Sequence, residues 1–127
     1  MLIAGIGCRT GVSAEAVLEA LSSAARACHV EERTIDAIAT ASAKAGELGI
    51  TEAAARLHLP VILVDAQDME RAAAGALTAS TRVLALKGVP SVAETAALAA
   101  AGTGARLLAP RTATATATCA IASGADA

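Results

Sequence analysis

The stretch Leu2-Ile3-Ala4-Gly5-Ile6-Gly7-Cys8-Arg9-Thr10-Gly11-Val12-Ser13 decides how this chain is read. An apolar run, Leu2 to Ile6, suits a buried strand, and the amphipathic pattern behind Ser13 suits a helix, so the glycines between them read as a strand-to-helix turn. Glycine lets a backbone turn tightly and approach a ligand closely. The unpaired N–H groups of the first helical turn, with the positive end of the helix dipole, favour an anion there. Arg9 adds a planar cationic fork that matches carboxylate or phosphate. The plain alternative is a turn whose glycines serve only the backbone.

Working outward, Val17, Leu18, Leu21, Ala24, Ala25 and Cys28 recur at helical spacing behind Ser13, a good N-cap, which predicts a helix over 14–28. Thr34 to Thr40 is β-compatible. Lys44, Gly46 and Glu47 then form a loop into a second helix marked by Ile50, Ala53, Ala54 and Leu57. Pro60 stops that helix, Val61 to Val64 is a short apolar strand, and the acid-rich segment 65–70 begins a third helix. Residues 80–86 read as helical, ending at Gly88, and a further alanine-rich helix opens at 89–94 and closes near Gly102 and Gly104. Residues 105–109 and the Thr-Ala alternation of 112–122 predict two last strands, antiparallel because their connection is short. The alternation is equally compatible with a loop, since alanine is a poor strand former.

Strands alternating with helices imply a mainly parallel sheet covered on both faces, with ligand sites outside the carboxyl ends of the strands. The first loop, the loop at Lys44 to Glu47 and the segment around Ser91 all reach that edge. With 127 residues the expectation is one domain, 1–127, with a core large enough to need neither disulfide nor metal.

The chain is 55% hydrophobic yet has no Phe, Tyr or Trp, so Ala, Leu, Val and Ile must build the core and a flat ligand finds no ring to stack on. A net charge of -2 with interspersed signs argues against a nucleic-acid surface. No run is long and apolar enough for a membrane span or a signal peptide, and three cysteines without C-x-x-C spacing suit reduced thiols; the expected setting is soluble and cytoplasmic.

The glycines Gly5, Gly7 and Gly11 are spaced G-x-G-x-x-x-G, one residue longer than a dinucleotide fingerprint, and no acidic residue ends the second strand to hold a ribose. A P-loop fits worse, because no lysine follows Gly11. Cys8, beside Arg9 in an anion-favouring loop, would be a nucleophile if its pKa were lowered. No histidine or carboxylate is placed to activate it, and packing under the loop is the favoured role. His29 and His58 follow the first and second helices, where an imidazole suits helix carbonyls, and neither has a partner at metal-ligand spacing; no metal and no cofactor are expected. Lys44 and Glu47 form either an ion pair shaping their loop or a donor and acid–base pair facing a ligand. Ser91 and Glu94 match the capping box S-x-x-E.

Three segments taken in order resemble one family: residues 5–11 with Ser13-Ala14-Glu15, then Lys44-Ala45-Gly46-Glu47-Leu48-Gly49-Ile50, then Gly88-Val89-Pro90-Ser91-Val92-Ala93-Glu94-Thr95-Ala96-Ala97. They are similar to the CobE family, which is also the C-terminal domain of CbiG, in cobalamin (vitamin B12) biosynthesis. The resemblance continues to Thr118-Cys119-Ala120-Ile121-Ala122, nearly the whole chain. It implies a three-layer α/β/α sandwich around a mainly parallel, mixed sheet.

CbiG opens a ring-contracted cobalt-precorrin lactone and releases acetaldehyde in the anaerobic pathway. A free-standing domain resembles CobE of the aerobic pathway, for which the implied role is binding or transfer of a precorrin or hydrogenobyrinic-acid-like intermediate. The enzyme alternative is a hydrolase or rearrangement catalyst on the same substrates, using Cys8 or Lys44 and Glu47. A third is a module docking on other enzymes of the pathway. The binding residues implied are Gly5, Gly7, Cys8, Arg9, Thr10, Gly11, Ser13, Lys44, Glu47, Ser91 and Glu94. Arg111, after Pro110, departs from the lysine common in the family and replaces a point charge with a fork.

Overall fold

Apolar runs and caps place the elements, in chain order, as β1 (Leu2–Cys8), α1 (Ala14–Ala27), β2 (Ala37–Ala41), α2 (Leu48–Leu57), β3 (Val61–Val64) and α3 (Ala66–Ala79). Then follow α4 (Val92–Ala101), β4 (Arg106–Leu107), β5 (Thr112–Ala113) and β6 (Ala117–Ser123). The computed structural model describes residues 1–79 and 91–124, so the helix expected over 80–86 and its end at Gly88 lie outside the described residues.

The sheet among the described residues runs β3-β2-β1-β6-β4, with β5 also on β6. β1 pairs parallel with β2, and β2 with β3, while β6 is antiparallel to β1 along its whole length, from Leu2↔Ser123 to Cys8↔Ala117. β4 and β5 each lie antiparallel to β6. The result is an α/β fold on a mixed sheet, mainly parallel in direction.

The pleat of each strand sorts its residues between two faces. Ala4 and Ile6 of β1, Ile38 of β2 and Cys119 and Ile121 of β6 pack with Val17, Leu21 and Ala24 of α1 and Ile50 and Ala53 of α2. Ile3, Ala37, Ala39 and Val64 turn the other way, onto Ala96 of α4 and Met69 of α3. Helices therefore cover both faces. Gly5 belongs to the second face, where a Cβ would lie 2.0 Å from the carbonyl oxygen of Ala93, so only glycine lets α4 sit this close to β1.

The structure corrects four local readings. β1 continues through Gly5 and Gly7 to Cys8 because β6 pairs with it throughout, which shortens the turn to residues 9–13. β2 starts at Ala37, after a 3-10 turn at Glu32–Thr34 whose Thr34 hydroxyl bonds back to Glu31 O. The segment 112–122 is a hairpin: β5 ends at Ala113, and Thr114 N–H and Oγ1 both bond to Ala117 O across a tight turn. Finally, His29 and His58 end their helices through backbone, not imidazole: both adopt φ 57°, and each N–H donates back into the last turn, to Arg26 O and Ala55 O.

Candidate functional site

The turn after β1 is built from both sides. Arg9 N–H donates to Thr116 O at 3.0 Å, tying it to the hairpin, and Val12 N–H closes it onto Arg9 O at 3.2 Å. Gly11 has φ 80°, the left-handed region that glycine enters without cost. Its N–H donates to Glu47 Oε1 at 2.9 Å. Ser13 caps α1, its Oγ accepting from Ala16 N–H at 3.1 Å. Behind this turn, α2 backs so closely that a Cβ on Gly49 would lie 2.1 Å from Val12 O.

Glu47 is therefore spent on the turn. The Lys44–Glu47 ion pair is not formed; the carboxylate reaches 36 residues back along the chain to Gly11 instead. Burial chiefly pushes the Cys8 thiol above its ordinary pKa; Lys44 opposes that shift and Glu47 adds to it. This reverses the thiolate that an anion-favouring loop predicts: Cys8 is half-buried and protonated at neutral pH. Cys119, in the core, is pushed up further by desolvation.

The second wall is the start of α4, which runs antiparallel to β1 and so brings its N-terminus to the carboxyl edge of the parallel strands. The capping box is complete: Glu94 N–H donates to Ser91 Oγ at 3.1 Å and Ser91 N–H to Glu94 Oε1 at 3.0 Å. Glu94 is 1% exposed, and Arg111 stands 3.5 Å from the same Oε1. Val92, the first residue of the helix, is 46% exposed and faces outward.

Between these walls lies a cleft of about 380 Å³ lined by Gly7, Cys8, Arg9, Val92 and residues 114–118 of the hairpin turn. Among the described residues no carboxylate residue lines it; its ionisable lining residues are Arg9 and Cys8. Thr118 Oγ1 bonds to Gly7 O at 3.3 Å across its floor. Of the residues expected at a site, Gly7, Cys8 and Arg9 line the cleft. Ser91 and Glu94 brace one wall, Gly11 and Glu47 shape the turn, and Ser13 caps α1. Gly5 is buried beneath α4. Thr10 is exposed on the turn, and Lys44 lies close enough to act on the Cys8 thiol. Sequence reasoning misses the hairpin residues 114–118, because a Thr-Ala alternation carries no turn residue to announce them.

This arrangement defines a class: an α/β protein with an open cleft at the carboxyl edge of its parallel strands, which no carboxylate lines among the described residues. The chain belongs to the cobalamin synthesis G C-terminus family, whose model matches residues 2–122. Among solved structures it is similar to a cobalamin biosynthesis protein, chiG, from Agrobacterium tumefaciens, at 46% identity and TM-score 0.85, covering 99% of this chain and 100% of that one. It is also similar to CobE, a protein from the cobalamin (vitamin B12) biosynthetic pathway, at 35% identity and TM-score 0.80, covering 96% of this chain and 89% of that one.

A longer protein from Sulfolobus solfataricus, a cobalamin biosynthesis protein G homologue, shares the fold at 20% identity and TM-score 0.69, over 95% of this chain and 36% of that one. No curated protein sequence matches the chain. Among the described residues no helix is long and apolar enough to cross a membrane.

Proposed function

We propose that this cobalamin-biosynthesis protein binds a corrin-ring intermediate of the aerobic pathway, a precorrin or hydrogenobyrinic-acid-like molecule, in the cleft between the β1 turn, the start of α4 and the β5–β6 hairpin. The observation that carries the reading is the cleft's composition: among the described residues, an arginine, apolar and hydroxyl side chains, and no carboxylate. Corrin intermediates carry many carboxylates around an apolar macrocycle. Arg9 and the N-terminal end of α4 would meet the carboxylates, and Val92 and Ala115 would lie against the ring. The absence of aromatic residues is no obstacle, since aliphatic surface excludes water equally well. The net charge of -2 leaves the attraction to these local groups.

Binding is favoured over catalysis because, among the described residues, burial pushes the thiol lining the cleft, Cys8, toward its protonated form, and Glu47, a carboxylate of the expected set, is engaged by Gly11 N–H. The test is to mix the purified protein with a panel of pathway intermediates and follow visible spectra and product masses together. A spectral shift without a mass change is expected for one class of intermediate. A mass change would make the protein an enzyme, and no shift with any intermediate would remove corrinoid binding.

A further inference from the structure

We infer that Arg111 is a positioning residue which sets the separation of the two cleft walls, an inference that rests on the corrinoid-binding reading above. One wall, the start of α4, is seated on β1 through Gly5 and Gly7. The other, the hairpin turn, has one arm fixed, since β6 pairs with β1 as far as Cys8↔Ala117, but its leading arm is a β5 of two residues, paired as Thr112↔Cys119 and Ala113↔Thr118. So short a strand is a weak hold. Among the described residues the turn's other hydrogen bonds are Arg9 N–H to Thr116 O, 3.0 Å, Thr118 Oγ1 to Gly7 O, 3.3 Å, and those of Thr114 to Ala117 O. None of these reaches α4.

Arg111 does. It immediately precedes β5, and its Nη1 lies 3.5 Å from Glu94 Oε1. That oxygen also accepts the Ser91 N–H that completes the capping box, so the guanidinium is anchored to the first turn of α4 itself. The carboxylate is 1% exposed and the arginine side chain 35%, which takes the pair out of the range where water and salt cancel an ion pair. Arg111 does not line the cleft; it acts through the wall that follows it in the chain. Holding the hairpin against α4 fixes how far Thr116 and Ala115 stand from Val92, and hence which ligand edge fits.

The test has two arms. In ligand-free protein, amide hydrogen exchange over residues 113–118 reads the hairpin directly. In titrations, cobyrinic acid, a corrinoid with its side-chain carboxylates free, reads the cleft. Arg111→Met should speed hairpin exchange by about tenfold, leaving β1 and β2 protected, and weaken cobyrinic acid by about the same factor. Arg111→Lys should restore most of both. Glu94→Gln, which keeps an acceptor for Ser91 N–H but removes the charge, should loosen the hairpin similarly and keeps the inference testable if Arg111→Met does not fold.

Unchanged hairpin exchange in these variants overturns the inference, whatever happens to affinity, and a loss of affinity alone would place Arg111 on the ligand. Faster exchange with full affinity also overturns it, since wall separation would then not govern binding. If the unaltered protein binds no cobyrinic acid, the corrinoid reading is what fails. The exchange arm then decides alone whether Arg111 holds the hairpin to α4.

Discussion

Gly5→Ala places one methyl group where the structure has backbone. Its Cβ would lie 2.0 Å from Ala93 O, 2.8 Å from Ala97 N and 2.9 Å from Ala97 Cβ. No side chain can swing aside, so α4 must retreat from β1 by about 1 Å, a gap that forfeits a quarter to a half of the dispersion energy between each facing atom pair. Ala93, Ala96 and Ala97 bear that loss, all of them fully buried and too short to refill the space. Ordinary overpacking costs about 1–3 kcal/mol because side chains yield; with rigid backbone on both sides we expect about 3–5 kcal/mol, a large share of a typical domain's stability.

Two other glycines serve as controls. Gly11→Ala meets nothing within 4 Å but is forced to φ 80°, which should cost about 1–2 kcal/mol. Gly46→Ala, with open space and no such constraint, should be neutral or stabilising by about 0.4–1 kcal/mol. Urea denaturation followed by far-UV circular dichroism ranks all three. Gly5→Ala within about 1 kcal/mol of the unaltered protein would refute the close approach of α4 and the placement of its N-terminus beside Gly7.

Glu47→Ala removes the acceptor of Gly11 N–H and should cost about 1 kcal/mol, the half-exposed site letting water compensate in part, while Glu47→Gln keeps an acceptor oxygen and recovers most of it in the same denaturation assay. Ser91→Ala should cost about 0.5–2 kcal/mol through the capping box; Ser91→Asp should restore the melting temperature yet weaken an anionic corrinoid at the same helix end, as thermal unfolding and absorbance titration would report. Burial raises the thiol pKa of Cys8, Cys28 and Cys119 above 9.0, so the unfolded chain loses these protons first. Thiol linkage therefore lowers stability as pH rises above about 9; urea midpoints between about pH 8 and 10 should fall, and less steeply in Cys119→Ala. Cys8→Ser should fold and bind normally, and a demonstrable turnover abolished by it would restore Cys8 as a nucleophile.

The sequence exposes most of the fold through period and caps. Ser13 and Ser91 announce α1 and α4, the apolar run at Val61–Val64 is β3, and the glycine turn with its helix marks one strand edge as the site. What it conceals is partnership at a distance. Gly5 and Gly7 look like loop glycines because strand extent is set by β6, over a hundred residues away, and close helix approach leaves no local signature. Glu47 looks paired with Lys44 because spacing within a loop is visible and a bond to Gly11 is not. The turn at 114–116 has no Gly, Pro, Asn or Asp, so the hairpin that lines the cleft reads as one strand or as a loop, never as two paired arms. Helix faces and caps are local physics; site walls are made where separate segments meet.

The central claim, that Arg9 holds a carboxylate-bearing corrinoid in the cleft, is tested most directly by titrating the unaltered protein, Arg9→Ala and Arg9→Lys with the intermediate that gives a spectral shift. Arg9 is exposed at the cleft, and its backbone N–H, which any residue there supplies, makes the tie to the hairpin, so Arg9→Ala should keep its circular dichroism spectrum and melting temperature. It should lose about 1.5–3 kcal/mol of binding, the worth of a hydrogen bond to a charged group, or roughly tenfold to over a hundredfold in Kd, with Arg9→Lys recovering part. Undiminished affinity in a folded Arg9→Ala protein would contradict the account and put the corrinoid, if bound at all, outside this cleft.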